Sequence, residues 1–161
     1  MDELHQHEQF FWDDAMIDSL ANRMQRFVQP CCLCAPLLGR ELERRGHFCR
    51  TLDRDERFAD LDGFAPFDLY RPQWRDEEFD VLICDPPFWK VSLSQLFGAV
   101  RLLSHYNWQQ PLAICYPQRR AANLCGAFAR FELVPTSIFP TYRTVQMRPT
   151  DRIEFFANFD F

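Results

Sequence analysis

Glycine is scarce, at five residues in 161, and no glycine-rich loop follows the first apolar run. The usual loop for a nucleotide-type cofactor is therefore missing, and other residues must do its work if a cofactor binds. No apolar stretch approaches the length of a membrane span, and the N-terminus Met1-Asp2-Glu3-Leu4-His5 is acidic, unlike a signal peptide. A cytoplasmic chain without membrane contact is expected. The seven cysteines are an odd number. Cys31, Cys32, Cys34, Cys84 and Cys115 fall in predicted strands, as reduced buried thiols do. Cys31 and Cys34 make a C-x-x-C, but no second Cys/His pair at ligand spacing follows, so no metal is expected. His5 and His7 lie in a polar terminus and are expected to be solvated. Internal repeats and low-complexity segments are absent.

What is present fits one domain over residues 1–161, with 1–12 as an N-terminal arm. Hydrophobic residues make up 47% and there are 17 Phe, enough for a real core. A net charge of −5 argues against gripping nucleic acid with the whole surface. The charge is unevenly spread: residues 1–88 carry 10 Arg/Lys against 19 Asp/Glu, and residues 89–161 carry 8 against 4. Lys90, Arg119, Arg120, Arg143, Arg148 and Arg152 can supply local positive charge for phosphates, or form a solvated basic face.

Asp13 or Asp14 can cap a helix whose apolar spacing runs through Ala15, Met16, Leu20 and Met24 to about Phe27. Strands are predicted at 31–35, 47–53, 63–70, 79–84 and 112–116, with a final pair at 131–139 and 152–159. Helices are predicted at 37–45, 91–104 and 119–130, with Pro36 at a helix start and Gly46 at a helix end. Alternating strands and helices predict an α/β, doubly wound, mostly parallel sheet, and the short last connection predicts a C-terminal antiparallel hairpin.

The run Phe79-Asp80-Val81-Leu82-Ile83-Cys84 reads as a buried parallel strand. Asp85-Pro86-Pro87-Phe88 follows it directly. Two prolines end the ladder, and each restricts the residue before it, giving a rigid lip with one carboxylate, free carbonyls and an aromatic face. Such a set suits a planar group bearing an amine. It resembles the Asp/Asn-Pro-Pro-Phe/Tyr signature of S-adenosylmethionine-dependent amino-methyltransferases. Two relatives carry the Phe form: the zinc-finger adenine-N6 methyltransferase of large-subunit ribosomal RNA, and the lysine methyltransferase of translation elongation factor 1A. The resemblance is patchy from about Gln9 to Phe159 and includes the closing segment Arg152 to Phe159 with its Asn. It implies the Rossmann-like fold of class I methyltransferases, with seven strands.

The resemblance also implies a cofactor, S-adenosylmethionine, and where it sits. Cys34-Ala35-Pro36-Leu37 replaces the glycine loop much as in both relatives, and a helix N-terminus there can still present N–H groups to a carboxylate. Asp55, within Asp55-Glu56-Arg57-Phe58, is the first choice for the ribose hydroxyls and Asp53 the second. Asp68 can accept the adenine amine, with Leu69 and Tyr70 against the ring. Gln9-Phe10-Phe11-Trp12 resembles a Gln-Phe-aromatic segment that precedes the first helix in both relatives; covering the cofactor pocket is one reading, and simple packing of the arm is the other.

Catalysis is assigned to Asp85, Pro86, Pro87 and Phe88: carboxylate and carbonyl accept N–H bonds while Phe88 stacks on the base. Trp89, Lys90, Arg119 and Arg120 are candidate substrate contacts. The expected activity is N6-adenine methylation of nucleic acid, RNA over DNA, on a single-stranded or flipped adenine. Tyr116-Pro117-Gln118-Arg119-Arg120 resembles the RNA enzyme at the matching place, but the zinc fingers are missing, so a helper subunit can be required. Two alternatives stay open: a protein lysine methyltransferase acting on a translation factor, and a non-catalytic partner protein.

Overall fold

A computed structural model describes residues 1–161. Its centre is a seven-stranded sheet in the order β3-β2-β1-β4-β5-β7-β6. The strands are β1 (Pro30–Leu33), β2 (Arg50–Asp53), β3 (Phe64–Pro66), β4 (Val81–Cys84), β5 (Leu112–Pro117), β6 (Val134–Pro135) and β7 (Ile153–Ala157). The first five pair in parallel, while β7 lies antiparallel between β5 and β6. The seven-stranded, mostly parallel sheet with an antiparallel C-terminal hairpin is thus as expected.

Helices α1 (Asp14–Met24), α2 (Pro36–Arg44), α3 (Leu93–Leu103) and α4 (Ala121–Ala127) cover the two faces. Strand alternation divides the core. Val81 and Ile83 of β4 pack with α1 and α2, whereas Leu82 and Cys84 pack with α3 and α4. All four β4 residues are fully buried. Each aliphatic one contributes on the order of 1.5–3 kcal/mol of burial, an upper figure, so the loop leaving β4 starts from a firm base.

Chain order moves outward from β1 to β2 and β3, then returns to β4 on the other side of β1. The reversal makes a crevice at the carboxyl ends of β1 and β4, where open α/β sheets bind ligands. Asp13 caps α1 by accepting the Met16 N–H at 2.8 Å, and Ser92 with Gln95 forms a capping box that starts α3. Gly46, left-handed at φ 75°, closes α2 as expected. Asn158 ties the closing strand to β5, accepting the Leu112 N–H at 2.8 Å and donating to the Gln110 carbonyl at 2.9 Å.

Several elements are shorter than their sequence patterns. β2 starts at Arg50 because His47, after the left-handed turn, is held by Leu42 and by the Phe27 carbonyl. Pro66 ends β3, and Pro135 does the same for β6. Beyond Pro135 the chain turns at Ser137 (φ 61°) before Ile138 accepts the Phe155 N–H at 2.9 Å. The helix expected over 119–130 divides into a 3-10 turn at Gln118–Arg120, α4, and a second turn at Ala129–Phe131. No helix is long and apolar enough to cross a membrane.

Candidate active site

A cavity of about 910 Å³ opens at the carboxyl ends of β1, β2 and β4. The four residues of the proline lip form one wall. The Asp85 N–H still reaches the Leu33 carbonyl at 3.1 Å, so the parallel ladder continues one residue past β4. Pro86 has no N–H and stops it. The Pro86 carbonyl accepts no hydrogen bond within the chain, whereas that of Pro87 accepts from Lys90 and Val91 at 3.2 and 3.1 Å. Phe88 is half-buried, edge-on to Tyr116 with ring centroids 5.6 Å apart.

Asp85 has an unusual environment. Its residue is partly exposed to the cavity, but protein surrounds the carboxyl closely. Burial pushes this carboxyl well above the ordinary carboxylate range, with Cys115 and Tyr142 as donors pulling the other way, and Asp53 and Glu8 adding to the rise. Tyr142 Oη lies 3.5 Å from Asp85 Oδ1 and 3.4 Å from Cys115 Sγ.

The opposite wall gathers the expected cofactor residues. Cys34 takes a left-handed conformation (φ 56°) where glycine is usual, and no side chain caps the N-terminus of α2. Its first-turn N–H groups, at Leu37 and Leu38, border the cavity. Asp53 ends β2; its Oδ1 accepts the Asp55 N–H at 2.8 Å, and it has no ion-pair partner. Burial raises its carboxyl to about 6 against the pull of backbone N–H groups. Asp55 is otherwise engaged. The Arg57 guanidinium binds it at 2.7 Å and holds it at about 2, with further help from Gln9 at 2.8 Å. Asp68 folds back to accept the Tyr70 N–H at 2.9 Å, with buried Leu69 between them.

The N-terminal arm roofs the space between these walls. Gln9 donates to Asp55 and accepts from Arg57 on one side. Its neighbour Glu8 accepts the Trp89 and Lys90 N–H groups, at 2.9 and 3.0 Å, on the other. Phe10 and Phe11 line the cavity beneath. The Phe11 carbonyl accepts the Arg143 N–H at 2.9 Å, and Trp12 bridges antiparallel to Tyr142. His5 and His7 lie at the cavity mouth, where His5 stacks on Phe10 and bonds Glu3. Outside the lip, Trp89 is 63% exposed, and the Arg119 and Arg120 guanidinium groups sit 5.2 and 5.5 Å from its ring centre. Arg119 pairs with Asp151 at 3.0 Å, and Lys90 turns its ammonium to the Gln6 carbonyl.

The chain therefore brings the expected residues to one cavity or its rim. Sequence reasoning missed Glu8, Cys115 and Tyr142. Each acts through a contact distant along the chain, and no local motif marks them. No group of three or more His, Cys, Asp or Glu side chains is placed to hold a metal ion.

A sequence model of the family described as "Probable N6-adenine methyltransferase" matches residues 3–161. None of the curated proteins is similar to the chain by sequence. Among solved structures, a TehB-like SAM-dependent methyltransferase from Corynebacterium glutamicum superposes with a TM-score of 0.62 at 13% identity, covering 90% of this chain and 88% of that one. Magnesium protoporphyrin IX methyltransferase from Synechocystis, with bound SAM, gives 0.59 at 12% identity over 89% and 77%. A SAM-dependent methyltransferase from Clostridium acetobutylicum gives 0.62 at 7% identity over 90% and 91%. At such identities the likeness is one of fold.

Proposed function

This chain belongs to the probable N6-adenine methyltransferase family, and on that premise we propose that it methylates the exocyclic amine of adenine in nucleic acid, RNA over DNA, using S-adenosylmethionine. The observation that carries the proposal is the pairing of a free Pro86 carbonyl with the Asp85 carboxyl beside Phe88, on a cavity of nucleoside-cofactor size.

The residues present fit the cofactor. The uncapped first turn of α2 suits its carboxylate. A buried carboxyl raised to about 6 lacks the donors that two ribose hydroxyls would provide, so Asp53 takes the ribose role ahead of Asp55, whose oxygens Arg57 and Gln9 occupy. Asp68 and Leu69 border the remaining space for the adenine. When bound, S-adenosylmethionine would supply the methyl group to the acceptor nitrogen and leave as the neutral thioether.

The protein's own work is to hold the acceptor. Adenine N6 is a poor nucleophile because its lone pair is delocalised into the ring. Two N–H bonds, to Asp85 and to the Pro86 carbonyl, favour a pyramidal nitrogen and fix its direction of attack. These acceptors are in place beforehand, so positive charge developing on nitrogen meets oxygens already oriented. The stacking face is Phe88. No histidine base is needed, since the proton can leave after transfer.

Nucleic acid is favoured over a lysine side chain by the rim, where Trp89 sits with Arg119 and Arg120: an aromatic face and two cations suit a base and flanking phosphates. The test is incubation with tritium-labelled S-adenosylmethionine and separate cellular RNA, DNA and protein fractions. Nuclease-sensitive label released as N6-methyladenosine is expected; label only in protein, on lysine, would replace this reading with the alternative.

A further inference from the structure

We propose that Tyr142 is a positioning residue for the lip: its hydroxyl donates to Asp85 Oδ1 and leaves Oδ2 as the oxygen that receives the acceptor amine. The inference rests on the reading of Asp85 as the acceptor's ligand. Tyr142 belongs to the connection between β6 and β7, far along the chain from the lip, and both of its neighbours are fixed. The Asp13 N–H bonds the Thr141 carbonyl at 3.0 Å, and the Arg143 N–H bonds the Phe11 carbonyl at 2.9 Å. Tyr142 itself is 8% exposed, so its ring has one course, pointing the hydroxyl between Asp85 Oδ1 (3.5 Å) and Cys115 Sγ (3.4 Å).

The contact matters because Asp85 has few other partners. The groups facing it are Cys34 and Cys84 at the ends of β1 and β4, Asp53 from β2, Cys115 from β5, Glu8 from the arm and Tyr142. Four are thiols or a phenol that burial keeps neutral, two are carboxyls, and Asp85 forms no salt bridge. To accept an amine N–H strongly, Asp85 must be ionised, and among these groups only the Tyr142 hydroxyl and the Cys115 thiol donate to its charged form. Of the two, the hydroxyl is the one whose oxygen lies within hydrogen-bond distance of the carboxyl, 3.5 Å from Oδ1.

The test titrates Asp85 directly, in cofactor-free protein carrying carbon-13 at its aspartate carboxyls, with the signal assigned by its loss in Asp85→Asn. Tyr142→Phe keeps the ring and removes the donor. Its Asp85 midpoint should rise by roughly half a unit to one unit, the equivalent of one hydrogen bond. Incorporation of 3-fluorotyrosine at 142, a better donor of nearly the same shape, should lower the midpoint. An unchanged midpoint in both variants overturns the proposal. In the transfer assay with a single-stranded adenine-containing RNA oligonucleotide, Tyr142→Phe should lose about three- to tenfold in kcat at neutral pH, in proportion to the lost ionised fraction. The loss should be recovered at higher pH, with KM for S-adenosylmethionine unchanged; a loss equal at every pH marks a merely structural role. Wild-type transfer by Asp85→Ala would instead remove the role of Asp85 itself, with the titration still deciding the Tyr142 contact.

Discussion

On the β2 side of the cavity Asp55 is paired with Arg57 and held at about 2, whereas on the β4 side Asp85 faces thiols, a phenol and two carboxyls and is driven upward. Asp53, at the junction, is raised to about 6. The difference separates two uses of a carboxylate. A group whose charge is already met inside the protein holds structure together, here the arm through Gln9 and the turn through Arg57. A buried group with too few donors to offset its burial is costly in the free protein and becomes favourable when a ligand brings more. Under the proposed function those ligands are the acceptor amine for Asp85 and the ribose hydroxyls for Asp53.

The sharpest way to break this comparison is Asp85→Ala. Methyl transfer should fall at least about 100-fold, as when one preorganised polar group is removed from a reacting centre, while calorimetric affinity for S-adenosylmethionine stays within a few-fold. A variant with full activity would mean that the raised carboxyl is only a buried core group. Next in size is the pair Asp53→Ala and Asp55→Ala. Loss of hydrogen bonds to a charged acceptor predicts about 10–100-fold weaker cofactor binding for Asp53→Ala. Asp55→Ala should cost less, because its effect passes through the arm. The reverse order would return the ribose role to Asp55.

The order proposed for Asp53 and Asp55 depends on contacts that sequence reading does not reach. The lip was legible because its cause is local: two prolines at a strand end dictate their own backbone. The parallel order was legible from buried runs alternating with helical spacing. The partners of Asp55 were not, since Gln9 lies 46 residues away, and Glu8 meets Trp89 across 81. Nothing around Tyr142 announces a contact with Asp85 57 residues earlier. Strand ends were misjudged for a related reason. The apolar residues Phe67, Leu69 and Leu133 are buried, so they carry the pattern of a strand, yet they lie in loops packed on the core.

The junction carboxyl gives a pH test. Asp53 has a folded value of about 6 against an ordinary 3.8, so its ionisation is disfavoured by folding. The stability tied to its neutral form is fully present below about pH 4 and is lost as pH rises through about 6. The loss is on the order of 3 kcal/mol at most. Thermal melting of cofactor-free protein at pH 5 and 7.5, compared with Asp53→Asn, should show the variant losing less stability on going to the higher pH. Cofactor binding should run the other way: hydroxyl donors favour the charged form, so affinity should fall below about pH 6 in the wild type and stay flat in Asp53→Asn. A flat wild-type profile would leave Asp53 without a ligand role.

The smallest effect belongs to the arm, which joins the two walls. Glu8 and Gln9 are adjacent in sequence and hold opposite sides, one through the Trp89 and Lys90 N–H groups, the other through Asp55 and Arg57. Glu8→Gln keeps the shape but replaces a charge-assisted contact with a neutral one, and also removes a negative charge that raises Asp85. The two walls should therefore respond differently. Cofactor release, followed by stopped-flow fluorescence, should quicken only a few-fold in Glu8→Gln as the roof loosens. The acid limb of transfer should move to lower pH, because Asp85 ionises more readily. Gln9→Ala should quicken release similarly without moving that limb, since it touches only the paired wall. Equal pH profiles for the two variants would mean that the arm acts as a single cover, with no separate hold on the lip.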